Sequence, residues 1–528
     1  MSAGATHEEP LHLPVKPGFA RFLVFFAVFL CAACGMVYEL ALVALGSYLL
    51  GNTVVQASIV LSVMVLAMGV GSLATKRLVR FAAVSFALIE AALGIIGGLS
   101  VLALYLAFAF MNVYTAAMVI VAFVIGALIG AEIPLLMELV QRIRAQKASS
   151  AAADLFAADY VGGLVGGLAF PFVLLPLLGL PRGALVVGAV NAITGIAIVL
   201  WLYRRQVARR TRVGLAAVLT VILVVLGVAW AFTDWIEVTG RQKLYRDPVI
   251  VAERSEYQDI VVTQHLRTKD TRLFLNGDLQ FASQDEYRYH ESLVHPVMNG
   301  PHGRVLVLGG GDGMAIREVL KYPDVEKVTL VDLDSAVVDL ALYDETISSL
   351  NGRSFEDPRV DYVSADAFTW LKENRTEPYD VVIADLPDPD GEATAKLYTI
   401  EFYGLVAAHM APGARMVVQS GSPYFAAEAY WGIGESVAEA GFATTPYHVD
   451  VPSFGDWGYH LAQLGSTAPE LAVPPDVPAD LRFLTPEVLD ASTVFPPDRS
   501  RESVGTPEPS SLLHPRVIDQ ERGAWVGY

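Results

Sequence analysis

Long apolar runs fill most of the first half of this chain. Each run is long enough to cross the hydrocarbon core of a bilayer as a helix. The runs lie at about residues 20–48, 55–75, 81–108, 113–136, 158–180, 183–203 and 213–233. They predict an α-helical transmembrane domain of about seven helices over residues 19–234, after a polar tail over residues 1–18. We therefore expect a multi-pass protein of the cell membrane, with the lipid bilayer as a partner.

Between residues 243 and 300 the long apolar runs give way to short segments in which apolar and polar residues alternate. Val249–Ala252, Asp259–Gln264 and Leu273–Leu275 have the composition of strands. Asn276-Gly277 is the dipeptide typical of a tight hairpin turn. The pattern predicts a small antiparallel β segment ahead of the next domain.

Strands alternate with helical segments over residues 301–465. The predicted strands lie near residues 305–308, 328–331, 360–363, 380–384, 414–419 and 442–448. This alternation is typical of an α/β doubly wound sheet, here of the methyltransferase-like Rossmann type. Residues 466–528 are rich in proline, and we expect them to form a loosely ordered tail.

Composition and charge restrict the classes of function. Hydrophobic residues make up 54% of the chain and charged residues 17%, which is too apolar for a soluble protein. The first 235 residues carry a net charge of +5 and the rest −23, within a total of −18. An acidic second half argues against a nucleic-acid partner, which needs basic patches, and is compatible with a cationic substrate.

A glycine-rich loop marks the candidate site. The buried strand Val305–Leu308 runs into Gly309, Gly310 and Gly311, and the following strand ends in Asp332. Glycines allow a tight turn and a close approach to a ligand, and an acid at the second strand end can bind a ribose diol. The alternative is a turn that only joins strand to helix. The ordered strand, loop, helix, strand and acid favour a nucleoside-containing ligand.

Acids recur at the ends of the predicted parallel strands. Asp332, Asp366, Asp385 and Asp388 follow strands, and Asp312 lies within the glycine loop. The carboxyl ends of parallel strands share one crevice, so these carboxylates are expected to meet. So many carboxylates repel one another unless the ligands are cationic. A carboxylate beside an amine can also take its proton and free the nitrogen lone pair for attack.

Five spaced segments carry a resemblance to a known family. Residues of about 245–465 resemble spermidine synthases, and with its apolar half the chain is similar to the membrane-bound, multi-pass members. The matching segments are Tyr-Gln-Asp-Ile (257–260), Leu-Asn-Gly-Asp-Leu-Gln (275–280), Asp-Glu-Tyr-Arg-Tyr-His-Glu (285–291), Gly-Gly-Gly-Asp-Gly (309–313) and Asp-x-x-Asp-Pro (385–389).

The resemblance implies transfer of an aminopropyl group from decarboxylated S-adenosylmethionine to an amine, most simply putrescine, with release of methylthioadenosine. It implies no bound cofactor and no metal, and a homodimer or homotetramer. Asp385 is the implied general base. The implied polyamine-binding residues are Tyr289, His290, Asp312 and Asp388, and the implied nucleoside-binding residues are Gln258, Gly309, Gly311, Asp332, Asp366 and Ala367.

The chain departs from the family pattern at four places. Leu386-Pro387 replaces a small polar pair, Asp332 stands where Glu is usual, and Ala367 stands where Gly is common. Pro452-Ser453-Phe454 stands where Pro-Thr-Tyr is common, so a hydroxyl group is missing beside the second substrate. This last departure leaves the identity of the acceptor amine open.

Two other functions remain alternatives. One is an S-adenosylmethionine-dependent methyltransferase, although Asp312 would repel the α-carboxylate of that co-substrate. The other is a membrane transporter or sensor for polyamines with a non-catalytic synthase-like domain. Trp457, Tyr447 and His460 either line the acceptor pocket or pack in the core.

The apolar half raises two questions of its own. Ionised acids at membrane depth often mark an ion path, and the alternative is a protonated or interfacial acid. Such acids are Glu39, Glu90, Glu132 and Asp159, so we hypothesise that this half binds or conducts a cation such as a polyamine. The only two cysteines, Cys31 and Cys34, exclude a disulfide framework and are interpreted as packing residues.

The distribution of basic residues leaves the orientation unresolved. The positive-inside rule places the N-terminus and the basic loops in the cytoplasm. These loops contain Lys16 and Arg21, then Lys76, Arg77 and Arg80, then Arg142, Arg144 and Lys147, and finally Arg204 to Arg212. Seven spans then put the acidic half outside, whereas the supply of a nucleoside substrate favours the inside.

Overall fold

The computed structural model describes residues 14–50, 53–111, 113–143, 148–389, 391–475, 477–522 and 524. The chain divides into two compact units, Met1–Arg246 and Asp247–Tyr528. Most of the predicted N-terminal tail, residues 1–13, lies outside the described residues, as do Arg144 and Lys147. Each unit has hydrophobic core clusters of its own.

The first unit is a bundle of long apolar helices. Within the described residues they are α1 (Pro17–Leu50), α2 (Thr53–Ala74), α3 (Ala82–Leu106), α4 (Tyr114–Ile143), α5 (Ala148–Ala169), α6 (Leu175–Trp201) and α7 (Arg209–Leu244). Large apolar side chains such as Leu66, Phe172 and Leu177 are exposed on this unit, at 65%, 75% and 76%. A surface of this kind is suited to contact with lipid tails.

Six segments of the described chain are long and apolar enough to cross a membrane. They are Pro17–Leu50, Thr53–Arg77, Val79–Met111, Tyr114–Gln141, Ala152–Trp201 and Arg209–Leu244. The segment Ala152–Trp201 has 50 residues, which as one helix measures about 75 Å, more than twice the bilayer core of about 30 Å. It contains most of α5 and all of α6, and Gly179 interrupts it with a φ of +69°.

The contacts of close-packed residues give the direction of each helix. Gly162 and Gly166 of α5 lie against Phe29 and Ala33 of α1, so these two helices are parallel. By the same comparison α3 and α7 also run with α1, whereas α2, α4 and α6 run against it. The contacts between α1 and α3 are Cys31–Glu90 and Tyr38–Gly97, and those between α3 and α7 are Gly98–Leu226 and Tyr105–Gly240. The contacts between α1 and α4 are Gly35–Ile129 and Gly46–Met118, and those between α2 and α4 are Met64–Gly126 and Met68–Gly130. The contacts between α3 and α6 are Glu90–Gly195 and Gly98–Ala184. The end of α7 therefore lies at the end of the bundle opposite to the start of α1.

The second unit contains two sheets. The strands are β1 (Val249–Arg254), β2 (Asp259–Gln264), β3 (Thr271–Leu275), β4 (Asp278–Ala282), β5 (Arg304–Gly309), β6 (Lys327–Asp332), β7 (Val360–Ser364), β8 (Tyr379–Asp385), β9 (Met410–Gln419), β10 (Phe442–Val451) and β11 (Gly455–Leu464). The first four form an antiparallel meander, β1-β2-β3-β4. Asn276 and Gly277, with φ of 53° and 97°, turn β3 into β4 as their sequence predicts.

The larger sheet has the order β10-β11-β9-β8-β5-β6-β7. Strands β5 to β9 are parallel, and β10 and β11 are antiparallel to their neighbours. The six strands predicted for this sheet are present. Strand β11 was not predicted. It contains Gly455, Gly458 and several polar side chains, so its sequence lacks the apolar pattern of a strand that has a neighbour on each side.

Eleven helices complete the described part of the second unit. They are α8 (Glu286–Val294), α9 (Met314–Val319), α10 (Ser335–Tyr343), α11 (Glu345–Leu350), α12 (Ala367–Glu373), α13 (Glu392–Ala395), α14 (Ile400–Ala407), α15 (Ala427–Glu439), α16 (Pro486–Ser492), α17 (Arg501–Val504) and α18 (Arg516–Glu521). Those between the strands of the large sheet make its parallel crossovers.

The C-terminal segment is ordered in its described part, in contrast to the loosely ordered tail expected from its proline content. Leu484, Leu489 and Val517 are buried. The buried carboxylate of Glu291 accepts hydrogen bonds from the backbone N–H groups of Arg482, Phe483 and Leu484 at 2.8–2.9 Å. One charged side chain of α8 thus holds three consecutive backbone donors. Proline-rich composition did not reveal this, because the partner lies about 190 residues earlier in the chain.

Replacement of Glu291 by Ala should release this segment. Hydrogen bonds to a charged group contribute about 1.5–3 kcal/mol each to stability, so we expect the variant to lose about 2–3 kcal/mol or more. Hydrogen–deuterium exchange of the amides of residues 482–484 in the full-length protein measures the local opening. Asp490→Ala, at an exposed position of α16, is the control. Equal protection of these amides in Glu291→Ala and Asp490→Ala would contradict the anchoring role.

Candidate active site

The strand order reverses between β5 and β8, and the crevice opens at their carboxyl ends. Gly309 at the end of β5 is in register with Asp385 at the end of β8. Gly309 has a φ of +78°, and a Cβ there would lie 2.0 Å from the carbonyl oxygen of Asp385. Only glycine allows the loop to turn this close to the neighbouring strand. In open α/β sheets this reversal point is where ligands bind.

Asp385 is the acid at the centre of the crevice. The Tyr289 hydroxyl donates a hydrogen bond to Asp385 Oδ1 at 2.5 Å. Burial raises the pKa of Asp385 to about 6; the charge of His290 and the hydrogen bond from Tyr289 oppose this rise, and the charge of Asp312 adds to it. A carboxyl group with this pKa is ionised at neutral pH but accepts a proton readily.

His290 is held by a buried chain of charges. Its Nδ1 contacts the Glu286 carbonyl oxygen at 2.8 Å and Glu286 Oε2 at 2.9 Å. Arg317 in turn donates to both carboxylate oxygens of Glu286 at 3.1 and 2.8 Å. Burial lowers the pKa of His290, but the hydrogen bond and charge of Glu286, with the charges of Asp312 and Asp385, raise it overall. The arrangement favours the imidazolium and orients its ring.

The sequence singled out His290 but neither of the groups behind it. Glu286 lies in the first turn of α8 and Arg317 on α9, 31 residues away. A spacing of four residues between Glu286 and His290 on a predicted helix is the signal that was available for the first of them. The contact with Arg317 depends on how α8 and α9 pack, so no local pattern indicates it.

Aromatic side chains surround Tyr289. Its ring centroid lies 6.0 Å from that of Phe454, 6.5 Å from Trp457 and 5.6 Å from Tyr459. Ser453 of the preceding loop donates through its backbone and its hydroxyl group to Asp285, at 2.7 and 2.9 Å. Trp457 is thus part of the wall around Tyr289.

Tyr447 and His460 pack in the core instead. The Tyr447 hydroxyl donates to the Ser292 carbonyl oxygen at 2.8 Å, and Tyr447 is fully buried. His460 is buried against Tyr430, and burial lowers the pKa of His460 to about 3. A neutral imidazole held by Ser420 at 2.9 Å is a structural group.

Asp332 lies beneath the glycine loop. The Gly311 N–H donates to Asp332 Oδ2 at 3.0 Å and the Asp334 N–H donates to Oδ1 at 2.9 Å. Burial raises the pKa of Asp332 to about 6; these two hydrogen bonds lower it, and the charges of Asp334 and Asp312 raise it further. A Cβ on Gly311 would lie 2.8 Å from Asp332 Oδ2, so a larger residue there would displace the Asp332 carboxylate or the loop.

Asp334 is a contact residue to which the sequence analysis assigned no role. It caps α10 through the Ala336 N–H at 3.1 Å, and its Oδ2 accepts hydrogen bonds from Gln258 Nε2 at 2.8 Å and from the Ser255 hydroxyl at 2.6 Å. Gln258 therefore lies beside the carboxyl end of β6, and its role in nucleoside binding stays a prediction. Asp334 two residues beyond the strand-end acid was the available signal, but it has the pattern of an ordinary helix cap.

Asp366 already has partners within the protein. Its Oδ1 accepts from the Thr369 N–H at 2.9 Å and from the Thr369 hydroxyl at 2.8 Å, which caps α12. Lys396 Nζ lies 2.7 Å from Oδ2. Burial raises the pKa of Asp366, but the hydrogen bonds from Lys396 and Thr369 lower it overall. Ala367 follows it as a buried first residue of α12.

The loop after β8 is held by two buried polar side chains. Gln419 Nε2 donates to Asp388 Oδ1 at 3.2 Å and to the Leu386 carbonyl oxygen at 2.5 Å. The Tyr398 hydroxyl donates to the Pro387 carbonyl oxygen at 2.9 Å. Neither Gln419 nor Tyr398 was predicted as a site residue. Gln419 follows an apolar run and Tyr398 lies in a mixed one, and neither local pattern indicates the polar contact.

The geometry defines a class of protein. The strand order, with a glycine loop and a strand-end acid at its reversal point, is that of the methyltransferase-like nucleoside-dependent transferases. The added antiparallel meander and the acids around Asp385 distinguish this chain within that class.

Comparison with known proteins identifies the family. The Spermine/spermidine synthase domain matches residues 286–472. Polyamine aminopropyltransferase 1 of Streptomyces coelicolor is 55% identical over 512 residues, 96% of each chain. Polyamine aminopropyltransferase of Mycobacterium tuberculosis is 47% identical over 514 residues, 96% of this chain and 97% of the relative. A solved spermidine synthase in complex with the transition-state analogue AdoDATO is 27% identical, covers 49% of this chain and 88% of its own, and has a TM-score of 0.44.

The chain belongs to the polyamine aminopropyltransferase family. The activity expected from the sequence, transfer of an aminopropyl group from decarboxylated S-adenosylmethionine, is confirmed at this level. The residue roles and the acceptor amine remain predictions.

Replacement of Glu286 by Gln should lower the pKa of His290. The substitution removes the charge that favours the imidazolium while keeping the size of the side chain. NMR titration of the full-length protein with labelled histidine measures this pKa, and His290→Gln assigns the signal. Glu345→Gln, which alters an exposed ion pair with Arg353, is the control. An unchanged His290 titration in Glu286→Gln would show that Glu286 does not set the charge of this ring.

Proposed function

We propose that this chain transfers the aminopropyl group to putrescine or a related diamine, with Asp385 as the general base. The observation that carries the proposal is the half-buried Asp385 carboxyl, whose pKa is raised to about 6 and whose Oδ1 accepts a hydrogen bond from Tyr289. The hydrogen bond from Tyr289 holds Oδ1 in place, and Oδ2, which has no hydrogen-bond partner among the described residues, can contact the substrate. The carboxylate is thus oriented and basic enough to take a proton from a bound amine.

The reaction is a displacement at the carbon next to the sulfonium. An alkylamine has a pKa near that of lysine, about 10.4, so it binds as an ammonium ion. Asp385 takes one proton, and the nitrogen lone pair forms the new C–N bond as the C–S bond breaks. The electron pair of that bond returns to sulfur, which leaves as the neutral thioether of methylthioadenosine. Orientation and one proton transfer supply the catalysis.

The polyamine end is assigned to Tyr289, His290, Asp312 and Asp388. Asp312 and Asp388 attract the ammonium groups, and the aromatic wall around Tyr289 contacts the methylene groups between them. A charged His290 reduces the repulsion between Asp312 and Asp385, because it acts on both. The amine then enters an acidic crevice. In this crevice Asp385 has a raised pKa and is oriented by the hydrogen bond from Tyr289.

The nucleoside end is assigned to the residues around the glycine loop. Gly309 and Gly311 allow the nucleoside to approach the backbone closely, and Asp332 binds the ribose. Gln258 is held beside this site by its hydrogen bond to Asp334. Asp366 and Ala367 are assigned to the adenine. Asp366 is assigned a hydrogen bond from the adenine amine, beside its contacts with Thr369 and Lys396.

The apolar unit is proposed as a membrane anchor of seven crossings. The alternating directions of α1 to α7 support this number, with α5 and α6 as separate crossings. An odd number of crossings puts the residues before α1 and those after α7 on opposite faces of the membrane. Which face bears the enzyme follows from the orientation of the N-terminus.

A panel of amines tests the substrate. Detergent-purified protein is incubated with decarboxylated S-adenosylmethionine and single diamines, and the products are followed by mass spectrometry. We expect methylthioadenosine and spermidine in equal amounts with putrescine. Methylthioadenosine with a different paired polyamine would name another acceptor, whereas methyl transfer from S-adenosylmethionine without methylthioadenosine would overturn the proposal.

The pH dependence of kcat/KM tests the base. Asp385 acts as the carboxylate, so kcat/KM should fall about tenfold per pH unit below its pKa of about 6. Asp385→Asn should lose about 10²–10⁴-fold in kcat and retain nucleoside binding. Asp361→Asn, an exposed change on β7, is the matched control. Near-normal kcat in Asp385→Asn would rule out this residue as the base.

A further inference from the structure

Three side chains from different helices meet inside the apolar unit. Cys31 of α1, Glu90 of α3 and Glu132 of α4 each offer one ligand atom, and these atoms all lie within 4.8 Å of one another. The side chains are 2%, 0% and 5% exposed. The enzymatic residues of the second unit are not involved.

The polar atoms of this cluster are incompletely satisfied. Asn191 of α6 donates its Nδ2 to Glu90 Oε2 at 2.7 Å. Glu90 Oε1, Glu132 Oε1 and Asn191 Oδ1 are buried and have no hydrogen-bond partner among the described residues. Among the described residues, no Lys, Arg or His forms an ion pair with either glutamate. Two buried carboxyl groups without a basic partner have to be neutralised, either by protons or by a bound cation.

The helices are shaped to bring the cluster together. A Cβ on Gly195 would lie 2.1 Å from the Cβ of Glu90, so glycine lets α6 pass directly over this side chain. A Cβ on Gly188 would lie 2.4 Å from the Gly94 carbonyl oxygen, at the same crossing of α3 and α6. Close backbone contact at small residues is the usual way in which apolar helices pack tightly. It holds Glu90 against Asn191 and towards Cys31 and Glu132.

We propose that Cys31, Glu90 and Glu132 bind a divalent metal ion of borderline softness, of which Zn²⁺ is the probe. Zn²⁺ accepts thiolate and carboxylate ligands together, and its charge offsets that of the two carboxylates. The thiol is the argument against an ammonium ion, because an ammonium donates hydrogen bonds to oxygen and gains little from sulfur. Asn191 orients Glu90 as a hydrogen-bonded partner of a ligating carboxylate does. The bound ion cross-links α1, α3 and α4.

Metal binding is measured on the full-length protein. The chain is purified in detergent through a tag other than polyhistidine, treated with a chelator and titrated with Zn²⁺ against a chromophoric competitor. We expect one ion per chain. Substitution by Co²⁺ should give a thiolate-to-cobalt charge-transfer band in the near ultraviolet, which reports directly on a sulfur ligand.

Cys34 provides a matched control. It is the only other cysteine of the chain, is also buried on α1, and donates to the Val187 carbonyl oxygen at 3.8 Å instead. Cys31→Ser should abolish the charge-transfer band, and Cys34→Ser should leave it unchanged. Glu132→Gln should abolish tight binding, and Asn191→Leu should weaken it by about 10- to 100-fold. Size-exclusion behaviour and aminopropyl transfer check that each variant is folded.

Three outcomes would overturn the proposal. The first is a folded wild-type protein that binds no Zn²⁺ or Co²⁺. The second is a charge-transfer band that survives in Cys31→Ser. The third is putrescine or spermidine binding that needs Glu90 and Glu132 but neither a metal ion nor Cys31, which would make the cluster an ammonium site.

Discussion

A buried carboxylate has to find a proton, a hydrogen-bond donor or a cation, since the loss of water around an ionised group costs several kcal/mol. This requirement governs both units of the protein. In the crevice of the large sheet it acts on three half-buried acids, Asp312, Asp332 and Asp385, and in the helical bundle on the buried acids Glu90 and Glu132. In each place the protein supplies part of the compensation, and we propose that a ligand supplies the rest.

The crevice compensates its acids unequally. Asp366 is paired with Lys396, and Asp334 accepts from Gln258 and Ser255. Asp385 receives one hydrogen bond, from Tyr289, and its pKa is raised by burial. Of the two crevice acids whose pKa is raised to about 6, Asp332 accepts two backbone hydrogen bonds and Asp385 accepts one from a side chain, and we propose that Asp385 takes the proton. The family's chemistry requires a base of this kind beside a cationic amine.

The positions of these acids depend on groups further from the crevice. Arg317 holds Glu286, and Glu286 holds His290, whose charge acts on Asp385. On the same helix, Glu291 anchors the backbone of the C-terminal segment. Helix α8 thus connects the charge of the crevice with the order of the chain end. The residues that make these two connections are His290 and Glu291, which are adjacent in the segment 285–291. Their contacts could not be read from that segment alone.

Local patterns in the sequence determined much of this protein. Apolar length predicted the helical unit, Asn276-Gly277 predicted a hairpin, and the ordered strand, glycine loop and Asp332 predicted the crevice. These features depend on neighbouring residues and on backbone rules, so a linear pattern contains them. Only the tertiary structure revealed strand β11, the anchored C-terminal segment and the contacts of Asp334, Glu286 and Gln419. It alone brought Cys31, Glu90 and Glu132 together, because these contacts join residues far apart in the chain and depend on how whole helices and strands pack.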